Sequence, residues 1–101
     1  MKFLVVSKSK HLVPPEVMTG VIDAMHLWLQ KYKEKIVQSW GFADIQGGGG
    51  ILNVESLEEL DLILTEFPIG PFSEVHVHGL VDLEQSLERL KLALQTMSTE
   101  G

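Results

Sequence analysis

The sequence contains no cysteine, which excludes disulfide bonds, thiolate metal sites and a cysteine nucleophile. Basic residues are also scarce: eight Lys and Arg against 14 Asp and Glu give a formal net charge of −6. A chain without a basic patch lacks the counterion release that drives nucleic-acid binding. It is not attracted to an anionic membrane surface either. We therefore expect neither nucleic acid nor a membrane as a partner.

Long apolar runs are missing as well. The run at residues 3–6 has four residues, against the roughly 20 that a membrane span needs. No segment has the flanks of a signal peptide, so we expect a cytoplasmic protein. The 101 residues fit a single domain, residues 1–101. A domain of this size buries only about two thirds of its unfolded surface, so a partner subunit would add stability.

The segment from residue 51 to residue 78 reads as a strand, a helix and a strand. Residues 51–54 are rich in apolar and β-branched residues, which favours a strand. Ser56 and Glu59 make an S-x-x-E capping box, which starts a helix. Residues 68–71 hold two prolines and end the helix, because proline has no backbone N–H. Alternation resumes over residues 72–78 and predicts another strand.

The first half of the chain is predicted to begin with a strand at residues 2–7, which is apolar on both faces, as in a strand covered from both sides. Pro14 and Pro15 then open a long amphipathic helix, which we expect to end at Gly41. Residues 42–46 are predicted to be the second strand. The glycine run 47–50 is predicted to be a tight connection into the third.

The last segment, residues 82–96, is predicted to be a helix with Asp82 as its N-cap. Its apolar residues recur with gaps of four, three, four and three: Leu83, Leu87, Leu90, Leu94 and Met97. So narrow a seam suits packing against one neighbouring helix or a subunit edge. Residues 98–101 are expected to fray.

This order of elements predicts an α+β, ferredoxin-like βαββαβ fold with an extra C-terminal helix. Helices cover one face of such a sheet, so a first strand that is apolar on both faces needs a second cover. We expect a second copy to supply it, giving a homodimer that closes into a dimeric α/β barrel, or a higher homo-oligomer. A monomer is the alternative, because Glu74, His76 and His78 share one face of the last strand.

Three motifs, GILNVES at 50–56, LEEL at 57–60 and FPIGPF at 67–72, together resemble the second half of the muconolactone Δ-isomerase family. The resemblance implies a ferredoxin-like subunit, homo-oligomers built from dimeric barrels and, in the family's enzymes, cofactor-free proton transfer on a small lactone acid. The family pattern has an ionisable acid on the first helix, facing the pocket. Met25 and His26 stand at the comparable place here, and we expect the hairpin to be shortened to the four glycines.

Proton transfer needs a group with a pKa near neutrality and donors for the developing enolate. We take His26 and His76 as the catalytic candidates. Candidate substrate-binding residues are Tyr32, Trp40, Gly49, Gly50, Phe72 and His78, the glycines acting through their backbone amides. The alternatives without a catalytic or binding role are an exposed helix position for His26, a flexible hairpin for the glycines, and core or subunit packing for the aromatic residues. His76 and His78 could share a metal with Glu74 or with a second copy, but they have no clear third ligand, so we expect polar lining of the barrel and no metal. The resemblance implies that no cofactor is needed.

Two functions follow. The first is a small isomerase or lyase acting on a compact carboxylate or lactone through His26, with His76 as a second candidate. The second is a non-catalytic ligand-binding or structural homo-oligomeric module of the same fold. Histidine titration by NMR separates them, because a catalytic histidine in a closed pocket has a shifted pKa.

Overall fold

The computed structural model describes residues 1–100, without the side chains of residues 99 and 100. The elements follow one another as β1 (Lys2–Ser9), α1 (Pro15–Lys31), β2 (Ile36–Gly41), β3 (Gly47–Asn53), α2 (Leu57–Thr65), a short 3₁₀ turn (Gly70–Phe72), β4 (Ser73–Leu80) and α3 (Leu83–Glu100). The order predicted from the sequence is confirmed.

The four strands form one antiparallel sheet in the order β2-β3-β1-β4. This is the predicted ferredoxin-like arrangement, with β2 and β4 at the two edges. Val5 lies opposite Gly50 and Val77, whereas Val6 lies opposite Gly49 and His76. Residues directly opposite each other share a face. We call the face with Val5 the helix face and the face with Val6 the open face.

The buried core lies between the helix face and α2. It consists of five apolar residues, Val5, Leu52, Val54, Leu60 and Ile63, each at most 9% exposed. Trp28 of α1 packs against this cluster, and its indole N–H donates to the carbonyl oxygen of Ile63 at 3.0 Å. This bond fixes α1 relative to α2, and the two helices form one side of the candidate site.

The predicted position of the second strand is wrong. The first helix ends at Lys31, β2 takes Ile36–Gly41, and residues 42–46 form the connection. The glycine run belongs to β3. Ile36 and Val37 are β-branched and fit a strand better than the end of a helix. The glycines fit because the strands approach closely: a Cβ on Gly48 would lie 2.5 Å from the carbonyl oxygen of Trp40.

Both predicted caps are confirmed. The Ser56 hydroxyl accepts a hydrogen bond from the Glu59 amide at 3.1 Å, and the Asp82 carboxylate accepts one from the Gln85 amide at 3.0 Å. The predicted C-terminal boundary is wrong, because α3 continues to Glu100. Gly101 lies outside the described residues.

The chain is elongated, with extents of 64 × 27 × 21 Å. The apolar residues of α3 are exposed, whereas those of α2 are partly in the core. Within residues 1–100, no helix combines the length and the apolar character needed to cross a bilayer.

Candidate functional site

A cavity of about 430 Å³ lies between α1 and the helix face. Met25 and Trp28 of α1 form part of its wall, and Val5 and Ser7 of β1 form part of its floor. The volume falls in the range of about 300–1,000 Å³ that is usual for small-molecule sites. The cavity is therefore large enough for a compact ring compound.

The lining of this cavity carries no ionisable side chain among the described residues. The lining residues with polar side chains on this side of the sheet are four serines, one glutamine and one tryptophan: Ser7, Ser9, Ser39, Ser73, Gln46 and Trp28. Trp40 also borders the cavity, but its ring lies over Gly49 on the open face. A charged ligand would lose its hydration here without gaining a charged partner, which is costly. The lining therefore favours an uncharged ligand with an apolar body.

Ser73, the first residue of β4, is the most distinctive polar residue of the lining. It is 7% exposed, and its hydroxyl oxygen is buried without a hydrogen-bond partner among the described residues. Buried polar groups nearly always have a partner, so an unpaired one indicates a missing ligand or water. A ligand or water that came within hydrogen-bond reach of the Ser73 hydroxyl would supply the missing partner.

Two glycines deepen the floor of the cavity. Gly48 lies opposite Ser7, and Gly50 lies opposite Val5, so both belong to the helix face. Neither has a side chain to fill the space below α1. Since β3 is an inner strand, its amides point to β1 or β2 rather than into the cavity.

The structure brings part of the predicted site together. Trp40, Gly49, Gly50 and Phe72 line the cavity. The other predicted residues, His26, Tyr32, His76 and His78, do not line it. His26 is exposed on α1, next to Met25. The functional roles of all eight residues stay predictions.

Tyr32 takes part in a contact between the ends of two helices. Its hydroxyl donates to the Glu66 carboxylate, which also accepts from the Lys31 ammonium at 2.9 Å. Hydrogen bonds from Tyr32 and Lys31 lower the pKa of Glu66. The same bonds to Glu66 raise the pKa of Tyr32 and of Lys31. The cluster joins the end of α1 to the end of α2.

His76 lies on the open face, on the other side of the sheet from the cavity floor. Its Nε2 is 2.8 Å from Oε1 of Glu74, and both side chains are more than half exposed. A histidine held by a carboxylate is the usual arrangement of a general base. His78 shares the face but, within the described part of the chain, no three metal-binding side chains converge.

Our interpretation of the sequence missed Ser7 and Ser73. On one face of β1, the apolar residues Phe3 and Val5 are followed by Ser7, which is polar. Ser7 is 6% exposed. A small polar residue at an inward position of an apolar strand is the signal that could have identified it. Ser73 had no such signal, because it follows a turn.

Two solved structures are similar to this chain. A crystal structure of muconolactone isomerase superposes with a TM-score of 0.73 at 23% sequence identity, covering 81% of this chain and 90% of that one. The second is the 5-chloro-2-hydroxyhydroquinone dehydrochlorinase of Burkholderia phenoliruptrix AC1100, in complex with 2,5-dihydroxybenzoquinone. It superposes with a TM-score of 0.66 at 19% sequence identity, covering 84% of this chain and 98% of that one. No family model and no curated protein matches the sequence. The expected likeness to muconolactone isomerase is thus confirmed at the level of the fold.

Proposed function

We propose that this chain binds a small, uncharged ring compound in the cavity between α1 and the sheet. The observation that carries the proposal is a cavity of about 430 Å³ that is lined without charge and bordered by Ser73, whose buried hydroxyl has no hydrogen-bond partner among the described residues. This corresponds to the non-catalytic ligand-binding module expected from the sequence. Of the carboxylate and lactone classes considered for the isomerase or lyase, the neutral lining favours the lactone.

The comparison structures support the size of this ligand. The similar dehydrochlorinase was solved with 2,5-dihydroxybenzoquinone, a single-ring compound. Muconolactone isomerase is named after a lactone. Both proteins share the fold of this chain, which supports a small ring compound as the ligand class.

A thermal-shift titration with matched probes tests the proposal. Phenol and an unsaturated γ-lactone are neutral, whereas benzoate has a similar ring and carries a charge. We expect phenol and the lactone to raise the melting temperature and benzoate to leave it unchanged, because the cavity offers a carboxylate no cation.

A pair of tryptophan variants locates the binding. Met25→Trp fills the cavity and is expected to weaken phenol binding by at least about tenfold. Leu27→Trp is the control, because Leu27 is on the same helix, is 69% exposed and does not line the cavity. Equal shifts with benzoate and phenol, or unchanged binding by Met25→Trp, would contradict the proposal.

A proton-transfer isomerase or lyase is the second candidate. The contact of 2.8 Å between Glu74 and His76 favours it, since a carboxylate can hold the imidazole in the orientation of a base. Both residues are on the open face, so such a site requires a second copy to cover that face. We include this homodimer in the candidate.

NMR of the histidine rings distinguishes the two functions. An enclosed Glu74–His76 base predicts His76 ring resonances that change when Glu74 is replaced by Gln and that depend on protein concentration, because a second copy covers the pair. His11, an exposed loop histidine, is the internal control. His76 resonances that respond no more than those of His11 rule out the second candidate and leave the first unaffected.

A further inference from the structure

We propose that α3 pairs in antiparallel orientation with α3 of a second copy of this chain. The inference goes beyond the proposed ligand and does not depend on it. Its starting point is the seam of five apolar residues on α3, each between 54% and 70% exposed: Leu83, Leu87, Leu90, Leu94 and Met97. We call this row the α3 seam.

The helix needs a partner to be stable. It is 18 residues long, and from Leu83 to Ser98 none of its residues is buried. Helices in proteins gain most of their stability from packing an apolar face. Among the described residues α3 buries no such face, so the packing comes from outside the chain.

The spacing of the seam selects a helix as the partner. Gaps of four, three, four and three residues are those of the a and d positions of a heptad. This pattern gives a narrow seam that fits one facing helix, with each side chain inserted between four of the partner. A flat sheet face would leave most of such a ridge uncovered.

The charges beside the seam select a second copy and its orientation. Glu84 and Lys91 are seven residues apart and lie on the same flank of the seam. The three ion pairs described for the chain involve neither of them. In an antiparallel pair with two-fold symmetry, each flank of one helix lies beside the same flank of the other helix. Glu84 of each copy therefore faces Lys91 of the other.

A parallel pair lacks this complementarity. There the flank with Glu84 and Lys91 would meet the opposite flank, which carries Ser86 and Ala93. The charges would then have no opposite charge across the interface. The antiparallel pair places Leu87 of one copy against Leu90 of the other and Leu83 against Leu94.

Sedimentation of the full chain at micromolar concentration tests the seam. We expect a dimer for the wild type and a rise of at least about tenfold in the dissociation constant for Leu90→Lys. Leu92→Lys is the matched control, because Leu92 is a leucine of the same helix, is 61% exposed and lies off the seam. It should keep the wild-type dissociation constant.

Charge reversal tests the pairing without touching a leucine. Glu84→Lys should weaken the dimer, and adding Lys91→Glu should restore it. A monomeric wild type, or equal effects of Leu90→Lys and Leu92→Lys, overturns the proposal. The latter result would assign the dimer to another surface, such as the open face.

A spin label reports the orientation. Since the chain has no cysteine, Ser98→Cys carries a single nitroxide near the end of α3. The antiparallel pair places the two labels about 30 Å apart along the helices, from a rise of about 1.5 Å per residue. A parallel pair would place them about 10 Å apart, and this result would overturn the antiparallel arrangement.

Discussion

At the scale of single residues, the Ser73 hydroxyl shows how a buried polar atom connects stability with binding. The oxygen is buried, and the described residues offer it no hydrogen bond. An unpaired buried hydroxyl destabilises the folded chain by about 1–3 kcal/mol. Such a cost is tolerated where a ligand supplies the bond.

Replacing Ser73 by Ala should therefore stabilise the ligand-free protein by about 1 kcal/mol and weaken phenol binding several-fold. Urea unfolding measures the first effect, and the thermal-shift titration measures the second. Ser39→Ala is the control for stability, because Ser39 lines the same cavity but is exposed. Its unfolding free energy should stay within about 0.5 kcal/mol of the wild type. A loss of stability in Ser73→Ala would mean that the hydroxyl has a partner.

At the scale of elements, glycine has opposite effects on stability in β3 and in α1. A Cβ on Gly48 would lie 2.5 Å from the carbonyl oxygen of Trp40, whereas a Cβ on Gly20 would meet nothing within 4 Å. The strand needs its glycines for close approach. The helix gains nothing from its glycine, which leaves the unfolded chain extra conformational freedom.

Alanine at these two positions should act in opposite directions. Gly48→Ala should lower the free energy of unfolding by about 1–3 kcal/mol, because the backbone of β2 must move away. Gly20→Ala should raise it by about 0.5–1 kcal/mol. Chemical unfolding of both variants checks the pair. An unchanged free energy of unfolding for Gly48→Ala would show that the backbone of β2 moves without destabilising the fold.

At the scale of the whole molecule, the order of elements and the sheet topology follow from local signals such as the caps at Ser56 and Asp82. The boundary between α1 and β2 could not be predicted, because Ile36 fits both the apolar stripe of a helix and a strand. Four residues that line the cavity were among the eight predicted from the sequence: Trp40, Gly49, Gly50 and Phe72. Ser73 was not, because burial without a partner depends on how distant elements pack.

The pH dependence of folding is a property of the whole chain. In the folded chain the pKa of Glu66 lies below its ordinary value of 4.5, through hydrogen bonds from Tyr32 and Lys31. The contact therefore stabilises the fold above that value, and this contribution is lost as the pH falls through the lowered pKa. Glu66→Gln should melt slightly below the wild type near neutral pH, and the difference should vanish by about pH 3.

Melting curves at several pH values check this expectation. Asp61→Asn is the control, since Asp61 is an exposed acid of the same helix and takes no part in the described ion pairs. Raised salt should also reduce the difference, because Lys31 and Glu66 are partly exposed. A difference between Glu66→Gln and wild type that persists in acid would assign the effect to packing.

The position of β2 at the edge of the sheet carries a consequence for handling the protein. Between Ile36 and Gly41 this strand has no charged residue and no proline, and Val37 is 54% exposed. Natural edge strands usually carry such residues, which prevent unpaired backbone groups from templating another strand. Strand-to-strand aggregation of concentrated samples is thus expected to start at β2, and a lysine in place of Val37 is the first remedy to try.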